Sequence, residues 1–209
     1  MIIADSRQVH EDAAQVIFNG GIIAFRTDTF YGLGANPLDS LAIARIRKLK
    51  VREECKPILL LVSDEDQVGR FIAERSWVFA AVAKRFWPGP LTIVGKAVDE
   101  LPGELTAGRT TIGVRLPDDQ NVRDLIRMCG GALTATSANI SGTPPALTAA
   151  EVEAHFPEGI DLIVDGGQVT ATRPSTLLDL SKPEPRLIRE GAIVRAELDE
   201  FLGELGLSL

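Results

Sequence analysis

Helices and strands alternate along the first part of the chain, as the spacing of its apolar residues predicts. Residues 10–18 carry apolar side chains one helical turn apart and end at two glycines, a pattern typical of a short helix. Residues 22–25 are uniformly apolar and predict a buried strand. Asp39 or Ser40 can cap a second helix, on which we expect Leu41, Ala44, Ile46 and Leu49 to face the core.

Later strand patterns are separated by short turns as often as by helices, which argues against a purely parallel sheet. Further strands are predicted over residues 58–62, 91–94, 111–115, 132–135, 162–164, 175–178 and 186–189. Further helices are predicted over residues 63–71, 77–87, 122–128, 149–156 and 195–205. We therefore predict an α/β fold with a twisted, mixed parallel and antiparallel sheet and flanking helices. No repeat or linker divides the pattern, so residues 1–209 are expected to form a single domain.

Composition narrows the class of protein. The chain has 209 residues, 45% of them hydrophobic, enough to bury about 70% of the unfolded surface. No apolar run approaches the ~18 residues of a membrane helix, and the start lacks a basic signal region, so we expect a cytoplasmic protein without membrane contact. Two cysteines and two histidines offer little material for a disulfide framework, a zinc site or a histidine triad. The net charge of −7 argues against broad nucleic-acid binding but permits a local basic pocket.

Three cations lie close together between a predicted helix and a predicted strand. They are Lys50, Arg52 and Lys56, and they cannot all lie on one solvated helical face. They can form an anion pocket, or they can be an ordinary exposed loop. Neither Lys50 nor Arg52 has the apolar neighbours of a core residue, so we expect alanine at either position to leave folding unchanged.

Polar residues follow several of the predicted strands. The side chains of Thr27, Thr29 and Tyr31 share one face of a turn, where they can bind a ligand or simply hold the turn. Ser137 and Asn139 offer the same two alternatives in a later loop. Arg115 ends an apolar strand and therefore needs an anionic or carbonyl partner. Residues 168–174 are polar and aperiodic, and we expect them to form a mobile lid.

The usual sequence signatures of nucleotide and hydrolase sites are absent from the chain. It contains no GxxxxGK[ST] phosphate loop, no GxGxxG turn after a strand and no GxSxG elbow. A nucleotide would therefore have to be bound by side-chain cations, hydroxyl groups and backbone amides.

Taken together and in order, the motifs between residues 8 and 195 resemble the YrdC/Sua5 family of threonylcarbamoyl-AMP synthases, in its short, single-domain form. The matching pieces are residues 27–34, Lys50, Arg52, Lys56, and residues 87–92, 111–117, 137–142, 175–176 and 189–191. The resemblance implies a YrdC-like sheet around a basic cavity. Arg26 departs from the family pattern, which commonly has proline before this turn, and Lys56 is a variant.

The resemblance also implies a reaction. ATP, L-threonine and bicarbonate would give threonylcarbamoyl-AMP and pyrophosphate, the first step of the t6A37 modification of tRNA. Mg²⁺ is expected on the ATP phosphates, although no motif identifies protein ligands for it. The product would be handed over to a tRNA threonylcarbamoyl transferase complex, and direct tRNA binding is left open.

The roles that the resemblance implies fall into three groups. The catalytic residues would be Lys50 and Arg52. The ATP-binding residues would be Lys50, Arg52, Ser137, Asn139, Ser175 and Arg189. The residues that bind threonine or its carbamate would be Thr27, Tyr31, Lys56, Thr111 and Arg115.

Three rival interpretations stay open at the level of sequence. A YciO-like paralogue would share the motifs. A carbamoyltransferase of hydrogenase maturation would be much longer and would carry zinc-binding cysteines. A non-catalytic RNA- or nucleotide-binding protein would use the same basic cavity, although the acidic net charge counts against RNA.

Overall fold

The computed structural model describes residues 1–50 and 57–209. Its strands are β1 (Ile2–Ala4), β2 (Ile23–Phe25), β3 (Gly32–Gly34), β4 (Leu59–Val62), β5 (Leu91–Lys96), β6 (Thr111–Arg115), β7 (Ala132–Ser137), β8 (Leu162–Asp165), β9 (Thr176–Asp179) and β10 (Arg186–Arg189). Its α-helices are α1 (Arg7–Phe18), α2 (Ser40–Leu49), α3 (Trp77–Phe86), α4 (Gly103–Thr106), α5 (Gln120–Met128), α6 (Ala149–His155) and α7 (Arg195–Glu204). A 3₁₀ helix spans Glu65–Arg70.

The strands of the described residues form one mixed sheet in the order β1-β8-β2-β3-β7-β4-β6-β5-β9-β10. Strands β1 and β2 both pair with β8 in parallel, as do β4 with β6 and β5 with β9. The other pairs, β2–β3, β3–β7, β4–β7, β5–β6 and β9–β10, are antiparallel. The prediction of a mixed α/β sheet is therefore confirmed.

Apolar layers cover both faces of the sheet. In β4, Leu60 and Val62 point into one layer, while Leu61 points into the other, as the alternation of side chains along a strand requires. Helices α1 and α5 cover the second layer, and α2, α3, α6 and α7 cover the first. None of the helices in the described part of the chain is long and apolar enough to cross a membrane.

Helix α2 begins where the sequence indicated but turns a different face inward. The Asp39 carboxylate caps it by accepting hydrogen bonds from the backbone N–H groups of Leu41 and Ala42 at 2.9 and 3.1 Å. Leu41 is 79% exposed and Ala44 is also exposed, so their predicted burial is wrong, whereas the predicted burial of Ile46 is confirmed. Ala42 and Ile43 are buried instead. The cap places Leu41 in the exposed first turn, and the following two residues face the sheet.

Candidate functional site

A cavity of about 520 Å³ lies over the middle of the sheet, against β3, β7, β4, β6 and β5. The loop between β2 and β3, the loop after β7 and the ends of β9 and β10 close its sides. Residues predicted from distant parts of the sequence meet here. The predicted residues that line it are Thr27, Tyr31, Arg115, Ser137, Asn139, Ser175 and Arg189.

Arg115 is a buried cation in the wall of this cavity. Its Nε donates to the carbonyl oxygen of Gly89 at 3.1 Å, and its Nη1 donates to Thr29 Oγ1 at 3.0 Å. Its Nη2 donates to a carboxylate oxygen of Asp28. Burial lowers the pKa of the Arg115 guanidinium; Asp28 opposes this change, and Arg189 adds to it. Because Arg189 is near enough to act on Arg115, two cations favour an anion in the same cavity.

The turn between β2 and β3 is held by its own hydroxyl groups. Thr27 Oγ1 accepts hydrogen bonds from the backbone N–H groups of Thr29 and Phe30 at 3.1 and 3.2 Å. It also donates to the carbonyl oxygen of Phe30 at 2.7 Å. Thr27 therefore holds the turn and also lines the cavity. The two roles considered for it from sequence, binding a ligand and holding the turn, are compatible.

Tyr31 connects the same turn to the segment after β8. Its hydroxyl donates to the carbonyl oxygen of Gly167 at 2.9 Å and to Asp165 Oδ1 at 3.2 Å. Burial, and then the Asp165 charge, raise the pKa of Tyr31 above its ordinary value. Both effects favour the protonated phenol, which donates these hydrogen bonds.

The loop after β7 is tied together beneath the cavity by Lys50. Ser137 Oγ donates to Asn139 Oδ1 at 2.6 Å, and Asn139 Nδ2 donates to the carbonyl oxygen of Thr143 at 2.5 Å. Lys50 Nζ donates to the carbonyl oxygens of Ser137 and Asn139, the latter at 2.9 Å, and to Asn139 Oδ1 at 3.2 Å.

Lys50 is 3% exposed, so the expectation that it is not a core residue is wrong, and the alternative of an exposed loop does not hold for it. Its burial is possible because three oxygen acceptors replace the water around the ammonium group. Lys50 is not among the residues that line the cavity; instead it supports two residues, Ser137 and Asn139, that do.

Ser175 and Arg189 form the opposite wall. The Arg189 guanidinium donates to the carbonyl oxygen of Ser175 from Nη2 at 2.8 Å, and Ser175 Oγ lies 3.0 Å from Thr92 Oγ1. A Cβ atom on Gly191 would lie 2.3 Å from the carbonyl oxygen of Pro174. Glycine at position 191 thus lets β10 approach the backbone before β9 and brings Arg189 to the cavity.

Thr111, like Lys50, is a predicted site residue that does not line the cavity in the described part of the chain. Thr111 begins β6, whereas Arg115 ends it, about 13 Å away along the strand. Thr111 pairs with Lys96 and does not line the cavity, because four residues of extended chain separate it from Arg115. Arg52 and Lys56 lie outside the described residues.

Other lining residues were not among the predicted site residues. Thr29, Phe30, Thr92 and Thr172 all line the cavity. The alternation that exposed Thr27 and Tyr31 to one face already included Thr29, so the sequence held a signal for it. Thr92 lies within residues 87–92 of the family resemblance, but the alternation of polar residues does not single it out, and its place at the cavity depends on the pairing of β5 with β9.

The unusual Arg26 before the turn is accommodated outside the cavity. Its Nη2 donates to Asp119 Oδ2 at 2.5 Å, and neither residue lines the cavity. The departure at position 26 therefore leaves the polar lining of the cavity in place.

The site offers cations and hydroxyl groups rather than a metal cage. Within residues 1–50 and 57–209 there is no group of three or more His, Cys, Asp or Glu residues that could hold a metal ion. The described lining likewise contains no carboxylate. This donor set suits a ligand that arrives with its own negative charge.

Comparisons with known proteins agree with this geometry. The Sua5/YciO/YrdC family model, described as "Telomere recombination", matches residues 15–191. A threonylcarbamoyl-AMP synthase of Thiobacillus denitrificans is 39% identical over 182 residues, 87% of this chain and 96% of the relative. A threonylcarbamoyl-AMP synthase of Pyrococcus abyssi is 37% identical over 193 residues, 92% of this chain but only 57% of the relative.

A solved structure agrees as well. The crystal structure of P. abyssi Sua5 complexed with L-threonine has a TM-score of 0.93 and 35% identity, and the match covers 98% of this chain and 61% of that one. Because the family model covers most of the chain and the Thiobacillus relative matches over nearly its whole length, this chain belongs to the Sua5/YciO/YrdC family.

Proposed function

We propose that the chain is a threonylcarbamoyl-AMP synthase, a nucleotidyltransferase that uses ATP, L-threonine and bicarbonate. The observation that carries the proposal is the meeting of two guanidinium groups, from Arg115 and Arg189, with several hydroxyl and amide groups in one cavity. A volume of about 520 Å³ falls within the ~300–1,000 Å³ of small-molecule sites. The names of the relatives, and the threonine in the P. abyssi complex, support the same assignment.

The two walls of the cavity suggest two subsites. Ser137, Asn139, Ser175 and Arg189 are proposed to hold the nucleotide, because hydroxyl groups, an amide and a guanidinium are suitable partners for phosphates and ribose. Arg115 is proposed to bind the carboxylate of threonine or its carbamate through the donors that its protein partners leave unused.

Thr27 would stand beside that second subsite, with Tyr31 supporting the same turn. Lys50 is proposed to hold the nucleotide-binding loop in place. The predicted contact of Arg52 with phosphate, and that of Lys56 with the threonine end, stay predictions.

The proposed reaction needs no protein nucleophile. The threonine amine takes up carbon dioxide from bicarbonate and becomes a carbamate. A carbamate oxygen attacks the α-phosphorus of ATP, and a new O–P bond forms as the bond to the bridging oxygen breaks. Pyrophosphate leaves with that electron pair. The protein would align the two anions and neutralise charge that grows on the leaving group.

Mg²⁺ is proposed to enter with ATP as part of the substrate. The described residues provide no acidic cluster to hold it, so its ligands would be phosphate oxygens and water, as is usual for nucleotide-bound Mg²⁺.

The proposal also covers the domain organisation of the chain and the fate of its product. Residues 1–209 would act as a single YrdC-like domain, because one sheet draws strands from both ends of the chain. The adenylate would pass to a tRNA threonylcarbamoyl transferase complex in the cytoplasm.

Pyrophosphate release tests the proposed function. We expect release only when ATP, L-threonine and bicarbonate are all present, and loss of release when any one of them is omitted. Thermal melts should show that ATP and threonine each stabilise the protein, because ligands that bind only the folded state raise the melting temperature. The family model also covers YciO proteins, so threonine-independent ATP hydrolysis, or no turnover, would favour that branch instead.

A further inference from the structure

A buried ion pair lies directly behind the cavity wall. The side chains of Asp28 and Arg115 are 13% and 5% exposed. One carboxylate oxygen of Asp28 accepts from Arg115, and the other accepts from the backbone N–H of Asp118 at 3.3 Å. The carboxylate is thus fixed at both oxygens, one of them by Arg115.

The hydrogen bonds of Arg115 leave part of its guanidinium group available. Of its five N–H donors, the described structure uses one from Nε, one from Nη1 and one from Nη2. One donor on each terminal nitrogen remains, and the residue lines the cavity. Two such donors match the two oxygens of a carboxylate or a carbamate.

The three anchors of Arg115 are not equivalent. Gly89 and Thr29 supply neutral oxygens, whereas Asp28 supplies the charge that makes burial of the guanidinium possible. Arg189, on the opposite wall, is anchored by the neutral backbone carbonyl of Ser175. Loss of the Asp28 charge should therefore affect the Arg115 side of the cavity and leave the Arg189 side unchanged.

We propose that Asp28 is a positioning residue that fixes Arg115 so that its remaining donors face the carboxylate or carbamate of the amino-acid substrate. Asp28 does not line the 520 Å³ cavity but a neighbouring one, so it would act on the substrate through Arg115. Without the carboxylate, the guanidinium would turn away from Arg189 and towards water, because only neutral contacts would hold it. This inference rests on the proposed function for the identity of the ligand, but the orientation of Arg115 can be measured independently.

The kinetic test uses the nearly isosteric variant Asp28→Asn. We expect its KM for L-threonine to rise ~10-fold or more, while kcat and the KM for ATP stay within about threefold of wild type. Asp124→Asn is the matched control, since Asp124 pairs with Arg127 at 2.5 Å on the solvent-exposed face of α5 and its substitution should change neither constant. An unchanged threonine KM in Asp28→Asn, or an equal loss for both substrates, would overturn the proposal.

A double-mutant cycle separates positioning from a general structural effect. In an Arg115→Lys background, whose ammonium group cannot span all three anchors, adding Asp28→Asn should raise the threonine KM much less than it does in wild type. Additive effects of the two substitutions would contradict an action through Arg115. If Asp28→Asn does not fold, Asp28→Ser, which also removes the charge, is assayed for the same rise in the threonine KM without a rise in the ATP KM, and unchanged values would refute the proposal.

An NMR measurement tests the positioning without using the reaction. Wild type should give a slowly exchanging Arg115 Nε–H signal, assigned with Arg115→Lys, which is lost or broadened in Asp28→Asn. If this signal persists unchanged in the variant, Asp28 does not fix the guanidinium. If wild type lacks threonine-dependent turnover but the signal changes, the proposed function fails while the positioning stands.

Discussion

Replacing Lys50 by alanine tests whether a cation inside the fold holds the loop beside the cavity. The ammonium group donates to two backbone carbonyl oxygens and to one side-chain oxygen, at Ser137 and Asn139. Lys50→Ala removes this donor from all three oxygens. The backbone N–H of Asn139 still donates to the carbonyl oxygen of Ser137, and Ser137 Oγ still donates to Asn139 Oδ1, so the loss falls mainly on the carbonyl oxygen of Asn139. Hydrogen bonds to a charged group contribute about 1.5–3 kcal/mol each, and an orphaned buried acceptor costs about 1–3 kcal/mol.

These contributions share one ammonium group and do not add, so we expect a destabilisation of about 3 kcal/mol. For a chain of this size, 1 kcal/mol lowers the melting temperature by about 2–4 °C, which gives a decrease of about 6–12 °C. Lys50→Met keeps most of the side-chain packing and should lose nearly as much. Lys48→Ala, at an exposed position in the last turn of α2, the helix that ends just before Lys50, should stay within about 0.5 kcal/mol of wild type.

Differential scanning calorimetry measures the stability of all three variants. The proposed reaction adds a second readout, since a loosened loop should raise the KM for ATP more than the KM for L-threonine. Melting temperatures within 2 °C of wild type for both Lys50→Ala and Lys50→Met would refute the structural role. A large loss of turnover with no loss of stability would instead support the direct phosphate contact predicted from sequence.

Three further predictions concern Gly191, Cys129 and residues 168–174. Gly191→Ala places a Cβ atom 2.3 Å from a backbone carbonyl oxygen, so we expect a raised KM for ATP and a lower melting temperature. Gly203→Ala, in α7 with open space around the added Cβ atom, should leave the KM for ATP unchanged and should not lower the melting temperature. Burial raises the pKa of Cys129 to about 12, so in a Cys55→Ser variant at pH 8 the thiol should be alkylated far more slowly in the folded protein than in urea; equal rates would contradict this. Cleavage of residues 168–174 by a nonspecific protease should decrease when ATP, threonine and bicarbonate are added together, and an unchanged cleavage rate would contradict the proposed lid.

The sequence predicted the long elements well because their patterns are local. Strand β6 and strand β10 have the predicted bounds, and α2 begins directly after one of the two caps that were considered. The short strands β1 and β3 were not predicted. Strand β1 has only three residues and is paired with β8, about 160 residues later in the chain. Strand β3 reads Gly-Leu-Gly, and such a segment becomes a strand only between β2 and β7.

The residues of the site were likewise predictable only where the signal is local in sequence. Polar residues at strand ends could be found from sequence, since a hydroxyl group or arginine after an apolar run is unusual by itself. Which of them face a common cavity depends on strand order: β6 reaches the cavity at Arg115 and leaves Thr111 at its far end.

The charge of Lys50 was not enough to predict its structural role from the sequence. The sequence places three cations together, but it cannot show that the carbonyl oxygens of a loop almost ninety residues later surround one of them. Burial of a cation is favourable only where such acceptors converge, and their convergence is a property of the folded sheet. The same reasoning applies to Asp28, which the sequence presents as one polar residue in a turn and the fold places behind Arg115. Lys50 and Asp28 therefore form their hydrogen bonds with other protein groups beside the cavity. We expect them to affect substrate binding indirectly, because they fix the residues that contact the substrates.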